Sequence, residues 1–315
     1  ISLEPSDELN LFDQLVIKKD LNHNIIDIRN KELIKQKVSE NNPDFIFHLA
    51  AQPLVRESYI NPLETWEVNV TGTINLLQSI RNLNKNCISV FITTDKVYKN
   101  NEWIYGYREI DPLGGYDPYS SSKAAAEIAI NSWRSSFFDD KSQYKKAIAS
   151  ARAGNVIGGG DWSKDRIIPD AIRDLASNKK IKVRNPNASR PWQHVLEPIW
   201  GYLKLAERIY KGNNSLESSF NFGPRLESNK KVKELIIEVL KNWKGDWEDI
   251  SDEKAFHEAK LLNLSYEKAF HHLNWQPRWD FETTVRKTVN WYQEFNGSKS
   301  AVDCCMSDLN SYFKE

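Results

Sequence analysis

The chain has 315 residues, of which 40% are hydrophobic, 27% charged and 11% aromatic; this is the composition of a folded protein with a sizeable core, and it excludes a disordered chain or a disulfide-stapled miniature. Forty-three basic residues balance forty-three acidic ones, so no global field holds the chain on nucleic acid or an anionic bilayer, and an anionic ligand must be met by a local site. Cys87, Cys304 and Cys305 form neither a paired framework nor a metal-ligand spacing, and no apolar run approaches the ~18 residues of a membrane span, so the reading is a cytoplasmic protein with no membrane contact and no metal.

The sequence opens at Ile1, and ISLEPSDELNLF reads as the continuation of a fold already begun. Short β-branched or aromatic runs then alternate with amphipathic stretches, the pattern of parallel strands joined by crossover helices. Strands are expected at Asn24–Ile28, Phe45–Leu49, Ile88–Thr93 and Ala147–Ala151. Within Thr65–Leu83, Val70, Ile74, Leu77 and Ile80 fall on one face at helical spacing. Ligands of such a sheet sit at the carboxyl ends of its strands. Asp27 and Ile28 close the first run, where an acid can hydrogen-bond adenine or ribose, although an Asp before Arg29 also suits a turn or cap. Leu49, Ala50 and Ala51 close the second, and the two alanines allow a dinucleotide to come close to the backbone, whereas His48 reads as a satisfied core residue.

The third run ends in Thr94-Asp95-Lys96, a hydroxyl, a carboxylate and an amine together at a strand terminus. Tyr119 and Lys123 follow at i and i+4, on one face of a helix that begins after a turn rich in Pro and Gly. A tyrosine with an ordinary pKa of ~10 is a poor base, but a lysine ammonium and a bound nicotinamide cation both favour its phenolate. Gly158-Gly159-Gly160, flanked by Asn155 and Asp161-Trp162, reads as a place where backbone approaches ligand. Helices are expected over Val232–Trp243 and Phe281–Phe295, and the tail from Ser298, with Cys304-Cys305, offers no chemistry.

These stretches resemble the extended short-chain dehydrogenase/reductases, and within them the CDP-glucose 4,6-dehydratases. The matching segments are HLAAQPLVRESY at 48–59, NVTGTINLL at 69–77, TTDKVY at 93–98, GYREIDPLGGYDPYSSSK at 106–123, ARAGNVIGGGDWSKDRIIPD at 151–170 and RNPNASRPWQHVLEP at 184–198. The Tyr-Lys pair and the helix containing Asn69 are shared with many epimerases; AAQPLVR, Asp95-Lys96, GNVIGGGDW and RPWQHVLEP are more specific.

The resemblance implies an α/β protein with a Rossmann-type doubly wound parallel sheet, NAD-binding over 1–153, and a smaller α/β domain over 154–315 for the nucleotide sugar, with part of 192–215 returning to the first. It implies a lyase of deoxysugar biosynthesis that oxidises CDP-glucose at C4 with NAD, eliminates water across C5 and C6, and returns hydride to C6. Tyr119, tuned by Lys123, would take the C4 hydroxyl proton and Thr94 would hydrogen-bond the same oxygen. Asp95 would protonate the departing C6 hydroxyl. Lys96 would handle the C5 proton if neutral, or stabilise the enolate if charged. The cofactor would lie on Asp27, Ile28, Leu49, Ala50 and Ala51 with Tyr119 and Lys123; the substrate on Asn155, Arg190, Asn221 and His257, with Arg184 and His194 of second rank. A homodimer is implied as well. The rival readings are a nucleotide-sugar epimerase or another sugar-nucleotide dehydratase on the same fold, a non-catalytic NAD-binding protein and an inactive fragment. No Gly precedes Gly72, so the Gly-rich pyrophosphate turn is absent and the first βαβ unit is expected to be missing.

Overall fold

Four parallel strands make the central sheet of the computed structural model, which describes residues 1–5, 9–15, 20–138, 143–212, 216–252 and 261–314. They are β1 (Phe45–His48), β2 (Cys87–Thr94), β3 (Lys146–Ala153) and β4 (Ser219–Phe222), in that spatial order. All eight residues of β3 are buried, so it cannot alternate polar with apolar, and its small Ala-Ile-Ala-Ser-Ala run admits packed layers on both faces. Among the described residues β1 is paired only on its β2 side. The expected strand over Asn24–Ile28 appears as a single parallel bridge between Ser2 and Ile25. Asn75 secures its end by donating to the Ile28 and Arg29 carbonyls, each at 3.1 Å.

The expected helix over Thr65–Leu83 is divided into Pro62–Trp66, a π-helical turn over Glu67–Thr71, and Gly72–Arg81. Periodicity cannot reveal a π turn, because the apolar stripe resumes after it. The turn buries Asn69, and a Cβ on Gly72 would come within 2.5 Å of Ile28 Cγ2, so this crossing of helix and strand needs glycine. The helix Lys31–Asn41 packs Ile34 and Val38 against Leu76, Leu77 and Ile80 in the same core.

The helix Pro118–Phe137 carries Tyr119 and Lys123, and its start is firmly specified. The Asp117 side chain accepts from the Ser120 backbone N–H at 2.9 Å and its hydroxyl at 2.6 Å. Pro118 occupies the first turn, where a missing N–H costs nothing.

A second core gathers the helices Ile167–Ala176, Val232–Asn242 and Phe281–Asn296 around Val183 and Trp192. The helix Leu196–Tyr210 packs in the sheet core, within the 192–215 segment expected to return there, and β4 and the helix Glu267–Leu273 pack in that core as well. No helix of the described residues is long and apolar enough to cross a membrane.

The tail forms a helix, Ala301–Lys314, with a definite anchor. Glu197 is fully buried; it accepts from the Tyr312 hydroxyl at 2.7 Å and from the backbone N–H groups of Trp279 and Arg278 at 2.8 and 3.0 Å. The Arg278 guanidinium donates to the Tyr312 carbonyl at 2.6 Å and lies over its ring. Burial raises the Glu197 pKa, so the carboxylate depends on these donors. Tyr312→Phe removes one hydrogen bond to a buried charged group and is expected to cost about 1.5–3 kcal/mol. Urea unfolding measures it, and an unchanged midpoint would show that the helix is held by other contacts.

Candidate active site

At the carboxyl end of β2, Thr94 caps a short 3-10 turn, Asp95–Val97. Its hydroxyl donates to Asp95 Oδ1 at 2.9 Å and accepts from the Lys96 backbone N–H at 3.3 Å, while Lys96 Nζ donates to the same Oδ1 at 3.3 Å. Asp95 is wholly buried, and its Oδ2 has no hydrogen-bond partner among the described residues. A buried carboxylate oxygen left bare is the atom on which a proton, or a donor hydroxyl, would be held.

Tyr119 faces this turn. Burial pushes its pKa up to about 12; a hydrogen bond with Thr94 and the charge of Arg166 pull it down, and Asp95 and Asp117 push it further up. Lys123 is brought down to about 8 by burial, opposed by the charge of Glu127. Its ammonium donates to the Ile92 carbonyl at 3.4 Å, the one hydrogen bond it makes among the described residues. An ammonium carries three protons, so the others suit oxygen ligands such as ribose hydroxyls. On the far side lies His48, held neutral by burial and by the charge of Lys123, with a pKa near about 3. Since the Thr73 hydroxyl donates to the Asn69 carbonyl at 2.7 Å, His48 must donate from Nε2 to Thr73, at 3.1 Å. Asn69 accepts from the Gln52 backbone N–H at 2.9 Å and donates to Ser122 at 2.9 Å, tying the loop after β1 to the helix of Tyr119.

Beneath Lys123 lies a buried ion pair. Glu127 and Arg152 meet at 2.8 Å, and Glu127 also accepts from Thr93 at 2.6 Å and Ser150 at 2.9 Å. Arg152 donates to the Tyr98 hydroxyl at 2.8 Å, which donates to Asn221 at 2.7 Å.

A cleft of about 910 Å³ opens in front of Tyr119. Thr94, Lys96 and Tyr119 line one part of it, and Asn155, Arg184 and Arg190 another. Asp95 and Lys123 lie just behind this surface. Asn155 Oδ1 is buried with no partner among the described residues, a polar atom left for a ligand. Asn221 does not line the cleft: it is fully buried, with its amide engaged by Tyr98 and the Tyr107 carbonyl, so it supports the wall. His194 is likewise buried, edge-on to Trp279 at 4.7 Å. His257 lies outside the described residues.

The glycine run differs from expectation. A Cβ on Gly159 would collide with the Trp291 indole at 2.0 Å, and one on Gly160, at φ +80°, would meet Leu11 at 2.7 Å. These glycines answer to close packing within the protein, and Gly158 alone of the three lines the cleft.

Of the expected cofactor residues, Leu49 and Ala50 are exposed and Ala51 half-buried at the end of β1, which leaves the backbone there open to approach. The Asp27 carboxylate is held by Arg29 at 2.6 Å, and this pairing lowers its pKa. Ile28 packs on Gly72. Among the cleft residues not singled out from the sequence are Arg56, Asp165 and Arg166. Arg56 and Asp165 stand 109 residues apart and meet at 3.4 Å, a proximity no local pattern encodes.

The family model described as GDP-mannose 4,6 dehydratase matches residues 6–288. A CDP-glucose 4,6-dehydratase of Salmonella typhimurium is 41% identical over 306 residues, covering 96% of this chain and 85% of that one. A dTDP-D-glucose 4,6-dehydratase of Bos taurus is 26% identical and covers 87% and 75%. Among solved structures, Pal from Bacillus thuringiensis superposes with a TM-score of 0.76 at 24% identity, over 90% of this chain and 86% of that one. A dTDP-glucose 4,6-dehydratase from Bacillus anthracis in complex with NAD gives 0.72 at 22% identity, over 89% and 84%. These structural likenesses establish the Rossmann-type α/β fold.

The buried lysine yields a pH test. Between its depressed folded pKa of about 8 and its unfolded value, the unfolded chain holds a proton that the folded chain has lost, so stability rises with pH. Relative to Lys123→Met, the protein should therefore gain about 2 kcal/mol between pH 7 and 9.5, measured by urea unfolding of both proteins. A difference that stays flat across that window would mean that the ammonium is not desolvated.

Proposed function

The chain belongs to the GDP-mannose 4,6 dehydratase family, and we propose that within it the protein is an NAD-dependent hydro-lyase that converts CDP-glucose to CDP-4-dehydro-6-deoxyglucose. The observation that carries this reading is the pairing of two functions at one strand end: a Tyr119–Lys123 pair suited to oxidation at C4, and beside it Asp95, a buried carboxylate with one bare oxygen, suited to elimination. An epimerase has no need of the second. The CDP-glucose 4,6-dehydratase of Salmonella, at 41% identity, supports the choice of nucleotide.

A bound nicotinamide would supply a hydride acceptor for C4 and later a donor for C6. Lys123, with protons free for oxygen ligands, and the open backbone at Ala50 and Ala51 fit a dinucleotide. Tyr119 takes the proton of the C4 hydroxyl, and Thr94 hydrogen-bonds the same oxygen. With a pKa near about 12 the phenol is not a ready base; added positive charge must bring it down, which ties the first step to a loaded site. The resulting 4-keto group acidifies C5. Lys96 and Asp95 share a proton across their 3.3 Å hydrogen bond: Asp95 delivers it to the departing C6 oxygen, which leaves as water, while Lys96 takes the C5 proton and returns one to C5 when hydride comes back to C6.

The same reading places the protein in the cytoplasm as a homodimer. Supporting a two-fold contact, Ile128 on the helix of Tyr119 is exposed, as are Leu63 and Trp66 on the helix packed beside it.

With NAD and CDP-glucose, the full protein should yield a nucleotide sugar lighter by one water. Tyr119→Phe should slow the first hydride transfer by about 10²–10⁴-fold. Asp95→Asn should permit that transfer and stall elimination, so that nicotinamide absorbance accumulates in this variant alone. Mass spectrometry and stopped-flow absorbance measure these outcomes; CDP-glucose recovered intact or merely epimerised at C4 would overturn the assignment.

A further inference from the structure

Across the cleft, one carboxylate holds two arginines. Asp165 accepts from Arg184 Nη1 at 2.5 Å and from Arg56 Nη1 at 3.4 Å, and all three residues line the cavity. Arg56 belongs to the short helix Val55–Ile60 that follows β1, on the sheet side of the cleft; Arg184 follows the strand Ile181–Val183 of the second core. The Asp165 carboxylate makes no other hydrogen bond among the described residues. Its neighbour Asp161 is different, since it also caps the Ser163 backbone N–H while pairing Arg166 at 2.9 Å.

We propose that Asp165 is an internal stand-in for the substrate's diphosphate: its carboxylate keeps Arg56 and Arg184 ordered and facing one another, and yields both to the incoming anion. The proposal rests on the nucleotide-sugar reading of the cleft and assigns Arg56 to the diphosphate site beside Arg184 and Arg190.

Energetics favour the exchange. The side chains of Arg56, Asp165 and Arg184 are 41%, 49% and 39% exposed, and ion pairs so well hydrated are weak. A diphosphate offers two guanidinium forks more charge and more acceptor oxygens than one carboxylate does, and such charge-assisted contacts are the stronger ones. Displacing Asp165 thus costs little, and the arginines are already gathered from opposite walls. Holding them in place lowers the ordering cost of binding. Asp165 has a backbone φ of +62°, a conformation that Asp and Asn tolerate, so Asp165→Asn removes the charge and keeps the turn.

Isothermal titration of the full, NAD-loaded protein with CDP, and with cytidine as the probe lacking phosphate, tests the proposal. Asp165→Asn should bind CDP up to about five-fold tighter, because the internal competitor is gone, with cytidine unchanged. Arg56→Gln should bind CDP about ten-fold more weakly, again with cytidine unchanged. CDP affinity equal to wild type in both variants, or weakened by Asp165→Asn, overturns the stand-in role while leaving the nucleotide-sugar reading intact. If wild-type protein binds neither CDP nor cytidine, that reading fails and the proposal falls with it.

Discussion

The Glu127–Arg152 ion pair is the contact on which the arrangement of the site depends. Two charges removed from water are expensive, and the expense is offset by hydrogen bonds to their remaining lone pairs and protons. Glu127 is engaged by Thr93, Ser150 and Arg152; Arg152 reaches on to Tyr98 and Ser219, and only its Nε lacks a partner among the described residues. The pair therefore fastens the helix of Tyr119 to β2, β3 and β4 at once. Because Glu127 lies one helical turn beyond Lys123, it also places a negative charge close to the lysine and resists the loss of its proton. Through Tyr98 and Asn221 the same network supports the wall of the cleft, which is why a fully buried asparagine stands near the site without lining it.

This frame leaves the central acid-base group deliberately unfinished. Tyr119 sits among two carboxylates, Asp95 and Asp117, with Arg166 and Thr94 working the other way, and burial outweighs them all. The lysine one turn away donates to a strand carbonyl and not to the phenol. A protein whose tyrosine ionised freely in this cleft would have a base ready without a hydride acceptor present. Here the missing positive charge must come from what binds, so proton removal and hydride removal are coupled by electrostatics.

Much of this was legible in the sequence where one residue's role follows from its neighbours in the chain. The Thr94-Asp95-Lys96 turn and the Tyr119–Lys123 spacing are local, and β2 and the Pro118–Phe137 helix deliver them as those spacings imply. What escaped depends on contacts between distant segments. Asn221 carries a motif's signature yet points into the support network, because Tyr98 and Tyr107 reach it from more than a hundred residues away. The Gly158–Gly160 run reads as a ligand loop, but Trp291 and Leu11 occupy the space a side chain would need. The tail seemed chemically empty because its anchor, Tyr312 on Glu197, lies 115 residues back along the chain.

Charge follows the same logic on a larger scale. The chain as a whole is neutral, and three of its cleft arginines are paired with nearby acids, Arg166 with Asp161, and Arg184 and Arg56 sharing Asp165. Such pairing shortens the reach of the positive charge, so the cleft pulls less on distant polyanions than bare arginines would. It responds strongly only to an anion small enough to enter and shaped to replace an internal carboxylate. Affinity for a diphosphate then comes from cations held at fixed positions by an acid that a well-fitting ligand can displace.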